Sequence, residues 1–497
     1  MTNDPTDRHV RKAIFLSLSP VEGVAMSEET DSQSRPPLDR GREKLSRAGD
    51  YLTRNRIRVA LVLVVLLSVG VIAVGATGDG LSTASAEAAP EAPPADNITV
   101  ITESGRAGTL IAYDTDGSVL YHADERTKYF DVDQVENTSA TVEYTATDTI
   151  HTSGPYCDSP PCARNVIERT NLTTGETEVI VERYNHQETA GEWHDHVRVN
   201  ETRVLIGDIL HDRVYMLNTE TGIIEWEWDA QSEYDPAESG GSFRRDWTHL
   251  NDVSLLEDGR VMASLRNHDR VVFIDPETGV QEDWTLGEEN NYDILYEQHN
   301  PDYIPEEQGG PAVVVADSEN NRIKEFQRED GEWVQRWTWT DQQTQWPRDA
   351  DRLPDGDTLI TDTHGNRVME VDGSGNIVWE VASTLPYEAE RLGTGPESEG
   401  GESAERLGLE SRTDRGDGGD SGGSFDPATE AGQFLEDLLP HRIVNGIYFA
   451  MPVWFGAPQF AAAGFGLLAG LGWFGAELRW QLRDRGVRFR LPVYRKD

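Results

Sequence analysis

Residues 245–275 read RDWTHLNDVSLLEDGRVMASLRNHDRVVFID. The stretch has two parts. A polar head, 246–251, carries His249 and Asn251. A body, 261–275, runs from one apolar strand through the polar turn RNHDR into a second apolar strand. The body recurs: LIGDILHDRVYMLNTETGIIEWEW at 205–228, the present copy extended to 286, VVVADSENNRIKEFQREDGEWVQRWTW at 313–339 and TLITDTHGNRVMEVDGSGNIVWEV at 358–381. Each copy is a strand, a turn ending in Asp/Asn-Arg-Val/Ile, a second strand, a glycine-containing hairpin turn and a strand bearing tryptophan. The turn pairs His211-Asp212, His268-Asp269, Asn320-Asn321 and Gly365-Asn366 suit residues that tolerate positive φ. His211, His268 and His364 therefore read as turn residues and are left out of the candidate site.

Heads fall near Trp193, Trp247, Gln298 and Trp346, a period of roughly 50 residues. Four short strands per period make a propeller blade. The 296 residues of 97–392 hold about six such periods, of which the two before Glu192 are degenerate. The expected fold is all-β, a six-bladed β-propeller. An array of β-sandwiches is the alternative, and four similar units of one length argue against it.

Composition bounds the surroundings. Asp plus Glu total 89 against 44 Lys plus Arg, for a net charge of −45. Such a charge repels nucleic acid and anionic lipid at ordinary salt, so nucleic acid is excluded as a partner. The acid is spread along the chain, and only five of the cations are lysine. That distribution fits a surface adapted to molar salt, where screening shortens to about 3 Å. A halophilic source is inferred.

Residues 1–56 read as a disordered cytoplasmic tail and 57–76, apolar after Arg58, as a transmembrane helix. A cleaved signal peptide is the alternative, since small residues follow the apolar run. Residues 77–96 are a linker, and 393–428 are an acidic Gly/Ser linker too poor in apolar residues to fold. Residues 429–457 read as an amphipathic, interfacial segment, 458–476 as a second transmembrane helix and 477–497 as a basic cytoplasmic tail. Arginines flank both spans on the sides away from the β region, which places both termini in the cytoplasm and the propeller outside the cell membrane. Four N-x-S/T sequons, at Asn97, Asn137, Asn171 and Asn200, lie within the segment expected outside. Cys157 and Cys162 are a poor zinc signal and, outside the cell, favour a local disulfide.

The heads EWHDHVRV, DWTHLNDVSLL, YEQHNPDYI and WPRDADRL each begin the innermost strand of a blade. Equivalent positions of successive blades converge on a propeller axis. His194, His196, His249 with Asn251, His299 with Asn300, and Arg348 with Asp349 are thus expected around one opening, with Arg266 in reach. Histidines suit a metal, whereas arginine beside them suits a sulfate or phosphate.

DWTHLN, the arginine of SLRN and the later QHN resemble the arylsulfotransferase family, whose members are six-bladed propellers. The resemblance covers residues 191–392 and is strongest over 246–300; this chain resembles a haloarchaeal-type, membrane-tethered member. It implies transfer of a sulfuryl group from an aryl sulfate ester to a phenolic acceptor through a sulfohistidine, with no cofactor and no metal. Carried over, His299 is the nucleophile, His249, Asn251 and Arg266 hold the sulfuryl oxygens, and either His194 or His196 contributes from an earlier blade. The alternative is a non-catalytic external propeller whose funnel binds an anion or a glycan.

Overall fold

The polar turns take the conformation their residues favour. Asp212, Asp269, Asn321 and Asn366 sit at φ 53, 53, 54 and 55°, the left-handed region that short polar side chains tolerate. Each follows a single 3₁₀ turn or tight turn and reverses the chain into an antiparallel partner. The computed structural model describes residues 37–77, 85–413, 440–450 and 455–486, apart from single positions 87, 106, 107, 189 and 456. The expectations for 1–36, 78–84, 414–439 and 487–497 lie outside the described residues.

Six antiparallel sheets follow one another around an axis. The second blade comprises Lys128–Gln134, Thr141–Ile150, Cys162–Asn171 and Glu176–Asn185. The third runs from His196–Asn200 out to Ile224–Asp229, the fourth from Leu250–Leu255, the fifth from His299–Ile304 out to Glu332–Trp339, and the sixth from Asp349–Arg352 out to Ile377–Ala382. The first blade is composite. Its three outer strands are Thr99–Glu103, Leu110–Tyr113 and Val119–Ala123, and its innermost strand is Pro386–Arg391, from the far end of the propeller sequence. That pairing closes the ring. The expected six blades are present, and the two degenerate ones are complete sheets.

Successive residues of the middle strands, such as Val204, Leu205 and Ile206 or Val313, Val314 and Val315, are fully buried on both faces, because each blade packs against two neighbours. Cys157 and Cys162 form a disulfide. One expectation fails. Residues 393–413 are ordered, not a linker: Ser398 Oγ accepts from the Arg352 amide at 2.6 Å and donates to Asp302, and a four-residue helix, Ala404–Leu407, sits against the fifth blade with the Ala404 amide donating to Glu325 at 2.7 Å. Polar anchoring adds to the few apolar contacts of the segment, chiefly Ala404 and Leu409 against the core of the fifth and sixth blades.

The described chain divides at residue 63 into two units. In the first, the helix Pro37–Thr77 has already begun, twenty residues before the expected span at 57. In the second, the part of that helix from Val64 meets the C-terminal helix Ala457–Asp484: a side chain at Gly75 would strike Gln459, and one at Gly466 would touch Ser68. The two segments thus run antiparallel. Thr53–Gly75 and Pro458–Asp484 are long and apolar enough to cross a membrane, with mean hydropathies of 2.9 and 1.3.

Candidate active site

The inner strands enter the axis through one residue each. Phe130, His194, His249, His299, Arg348 and Tyr387 come from the second, third, fourth, fifth, sixth and first blades. His194 is the hub. Its ring stacks on Phe130 at 4.4 Å and meets His249 edge-on at 5.2 Å and Tyr387 at 5.4 Å. The Arg348 guanidinium lies 4.9 Å from the centres of both the Tyr387 and Trp346 rings, and His299 meets Trp346 edge-on at 5.7 Å.

Backbone strain accompanies this convergence. His249 and Trp346 have φ of 47 and 50°, uncommon for such bulky residues. The pairing register shifts between Leu250 and Asp252 and between His299 and Asp302. Bulges of this kind re-aim side chains at strand entries.

Around His249 the geometry is tight. Its Nδ1 lies 2.8 and 2.9 Å from the two Asp246 oxygens, and its Nε2 lies 3.0 Å from Arg266 Nη1. Arg266 Nη2 also donates to Asp246 at 3.4 Å, and Nε and Nη2 donate to Asn267 Oδ1. Asp246, facing His249 and Arg266, is held down at about 2 against the cost of its burial, so it stays ionised and fixes the proton of His249 on Nδ1. Burial, then the Arg266 charge, lowers the His249 pKa, with Asp246 opposing.

His299 is buried, and its pKa is pushed well down by desolvation and then by Arg348, Arg266, His249 and His194. Its Nδ1 is 2.9 Å from Ser318 Oγ, which donates its own proton to the Ala316 carbonyl at 3.3 Å. With the Ser318 hydroxyl turned to Ala316, Nδ1 is the donor and the lone pair is on Nε2. His194 is likewise driven well down by burial, then by His249 and Arg348. Arg348 is itself lowered to about 10 by burial.

The other expected residues divide. His196, two residues from His194, is buried between Asp131 (2.6 Å from Nδ1) and Glu143 (3.2 Å from Nε2), and its pKa is raised well up despite desolvation. It sits with the channel carboxylates, and the structure places His194 rather than His196 beside His249. Asn251 is buried and donates from Nδ2 to the Gln298 carbonyl at 3.0 Å. It holds the strand that presents His299, and among the described residues no hydrogen bond joins it to Arg266. Arg348 was in an expected head yet absent from the inferred catalytic set, and Tyr387 and Phe130 were missed because their blades lack a visible motif. A usable signal existed: like HDH and RDA, the triplets FDV and YEA have a carboxylate directly after the axial residue.

The turn histidines also divide. His268 is buried between Tyr234 and Trp247, as a core residue. His364 instead lies 4.7 Å from Trp346, and burial followed by Arg348 lowers it to about 3. Over it lies the helix His441–Ala450, within the segment expected at the membrane interface. Asn445 is buried there, donating to Glu319 at 2.8 Å and accepting from Gln345; Tyr448 faces His364, and Phe449 faces Trp346. A cleft of about 150 Å³ opens beside Asp246 between Asp212 and residues 243–247, and none of the axial histidines lines it.

Fold and site together define a six-bladed propeller whose axial site is built of imidazoles and guanidinium groups. Residues 83–330 match the arylsulfotransferase (ASST) family model. No curated protein matches the sequence. Among solved structures, the chain is similar to a periplasmic gluconolactonase from Pseudomonas aeruginosa at 10% identity and TM-score 0.40, covering 60% of this chain and 99% of that one. It is also similar to a nidogen/laminin complex at 12% and 0.39, covering 59% and 97%. A virginiamycin B lyase from Staphylococcus aureus matches at 13% and 0.30, covering 48% and 73%.

Proposed function

We propose that the protein transfers a sulfuryl group from an aryl sulfate ester to a phenolic acceptor, with His299 as the nucleophile. The observation that carries this reading is the state of His299: a buried, neutral imidazole with Nδ1 committed to Ser318, next to Arg348 and close enough to Arg266, His249 and His194 to feel their charge. The arylsulfotransferase match over residues 83–330 supports a sulfotransferase-type enzyme.

In the first half-reaction the Nε2 lone pair of His299 attacks sulfur, an N–S bond forms and the S–O bond to the aryl group breaks. Arg266 and Arg348 stabilise the sulfuryl oxygens through charge-assisted hydrogen bonds. The aryl oxide leaves with a proton from His249. Arg266 opposes protonation of His249 in the empty site, but a bound sulfate ester neutralises that guanidinium and lets Asp246 favour the imidazolium. In the second half-reaction the acceptor phenol oxygen attacks the same sulfur, the N–S bond breaks, and His249 takes the phenol proton. The propeller works outside the cell membrane of a halophile, tethered by both terminal helices with both termini in the cytoplasm; their antiparallel contact supports that topology.

Incubation of the protein with p-nitrophenyl sulfate and phenol in high salt tests this. Phenol-dependent release of nitrophenol, with an acid-labile sulfate on His299, is expected. Anion binding without either result would leave a non-catalytic propeller.

A further inference from the structure

Directly beneath the axial residues lies a second ring, and it is acidic. Asp131, Asp195, Asp349 and Glu388 each follow their blade's axial residue by one position. Asp252 and Asp302 follow His249 and His299 by three, and a register shift precedes each. Every blade thus sends one buried carboxylate into the channel. Deeper along the same strands come Asp133, Asp351 and Glu390, and the ordered segment after the propeller adds Glu397, whose φ of 50° is unusual for glutamate.

One positive side chain balances part of this charge. His196, doubly hydrogen-bonded to Asp131 and Glu143, is a counter-ion for Asp131, Asp133 and Asp195. Around Asp252, Asp349, Asp351, Glu390 and Glu397 the nearest strong charges are other carboxylates. Several oxygens there also lack any hydrogen-bond partner: Asp252 Oδ1, Asp349 Oδ1, Asp351 Oδ1 and Glu390 Oε1, all on side chains more than nine-tenths buried. Unpartnered carboxylate oxygens at such depth are costly unless something binds them.

Donor geometry says where. Oxygens of Asp302, Asp351 and Glu397 lie within 4.8 Å of one another, and so do those of Asp131, Asp133 and Glu397. A third group, Asp131, Asp195 and His196, is excluded as a cation site because both ring nitrogens of His196 are engaged by carboxylates. Glu397 is common to the two all-oxygen groups of the channel. We propose that the propeller channel binds a calcium-class divalent cation at Glu397, with Asp302 and Asp351 as its other carboxylate ligands and Asp131 and Asp133 opposite. Clustered hard oxygen donors with irregular spacing suit calcium better than magnesium, which demands a small octahedron. The cation would tie the segment after the closing strand to the second, fifth and sixth blades. It would also remove the negative field directly behind the imidazole and guanidinium layer.

The experiment uses the full chain in detergent, stripped with EGTA and desalted into calcium-free buffer at high, constant KCl. Calcium is added in excess, free ion is removed by desalting, and bound metal is measured by atomic emission beside thermal midpoints in calcium, magnesium and EGTA. At least one calcium per chain should be retained, and calcium should raise the midpoint by about 5 °C or more, beyond any rise from magnesium. Glu397→Gln and Asp351→Asn should lose both effects while remaining at least as stable as the parent in EGTA, since each removes an uncompensated charge. Asp357→Asn, in the more exposed trio Asp355, Asp357 and Glu370, should lose neither. Absence of retained calcium, a midpoint indifferent to calcium, preference for magnesium, or loss of binding only in the Asp357 variant would each overturn the proposal.

Discussion

His194 and His196 are two residues apart on one strand entry, both buried, and their fates are opposite. His194 is in the upper layer among Phe130, Tyr387, His249 and Arg348, where burial and neighbouring cations drive its proton off. His196 is in the lower layer between Asp131 and Glu143, which hold its proton on. One step along an inner strand changes the surrounding charge from positive to negative. The difference teaches that this channel is organised in layers, each assembled from all six blades. The upper layer suits an anion and a neutral nucleophile; the lower layer suits a cation.

The largest expected effect comes from the proposed nucleophile. His299→Ala should lower phenol-dependent sulfate transfer by about 10⁴-fold or more with the thermal midpoint little changed, because the covalent route is lost altogether. Retained turnover in that variant would remove the upper layer's chemical role. Arg266→Ala should cost about 10²- to 10³-fold in kcat, as expected when one donor to a developing charge is lost. A comparable loss in substrate binding alone would reassign Arg266 to binding.

The pair itself separates activity from stability. His196→Ala leaves Asp131 buried without its cation, while Glu143 keeps Arg169 and Arg198, and should destabilise the fold by about 3 kcal/mol in urea titrations. His194→Ala loses stacking against Phe130 and Tyr387 but strands no charge, so its stability cost should be well below that of His196→Ala while transfer still falls. Equal costs would erase the distinction between the layers.

A smaller effect concerns pH. With its pKa held below the ordinary 6.5, His299 stays neutral as pH falls past that value, so the first half-reaction should persist below pH 6.5 instead of halving there. Rapid-quench measurement of the sulfated protein across pH 5–8 reads this out, the range being chosen to bracket an unperturbed imidazole at about 6.5. Stability moves the other way. His268, at about 4, and His364, at about 3, bind protons more weakly folded than unfolded. Their contribution is full above about pH 6.5 and is lost as pH falls toward those folded values. The least effect is expected at Asn445: replacing it with alanine should loosen the covering helix from Glu319 and Gln345 and raise protease access near residue 440 without altering the His299 chemistry.

Much of this architecture was legible beforehand. Four copies of a body with Asp/Asn-Arg turns implied blades, because period-two apolar runs between positive-φ residues leave few other folds. The heads with His249 and His299 stood out for the same reason. The choice between His194 and His196 did not, since both match the HDH pattern and only their surroundings distinguish them. Phe130 and Tyr387 were hidden in blades without a visible repeat. The order of residues 393–413 escaped notice because it rests on Ser398, Ala404 and the Arg352 backbone, not on an apolar run.

Sequence alone determined the blade count and the residues presented at each strand entry, since alternation and turn chemistry are local properties of the chain. Tertiary structure alone decided which of those residues meet. Ring closure by Pro386–Arg391 brings Tyr387 to Phe130 and His194 from about two hundred residues or more away, and register shifts in the fourth and fifth blades set the acidic residues three positions on rather than one. Charge at a buried site depends on neighbours drawn from every blade, and no single stretch of the chain contains them.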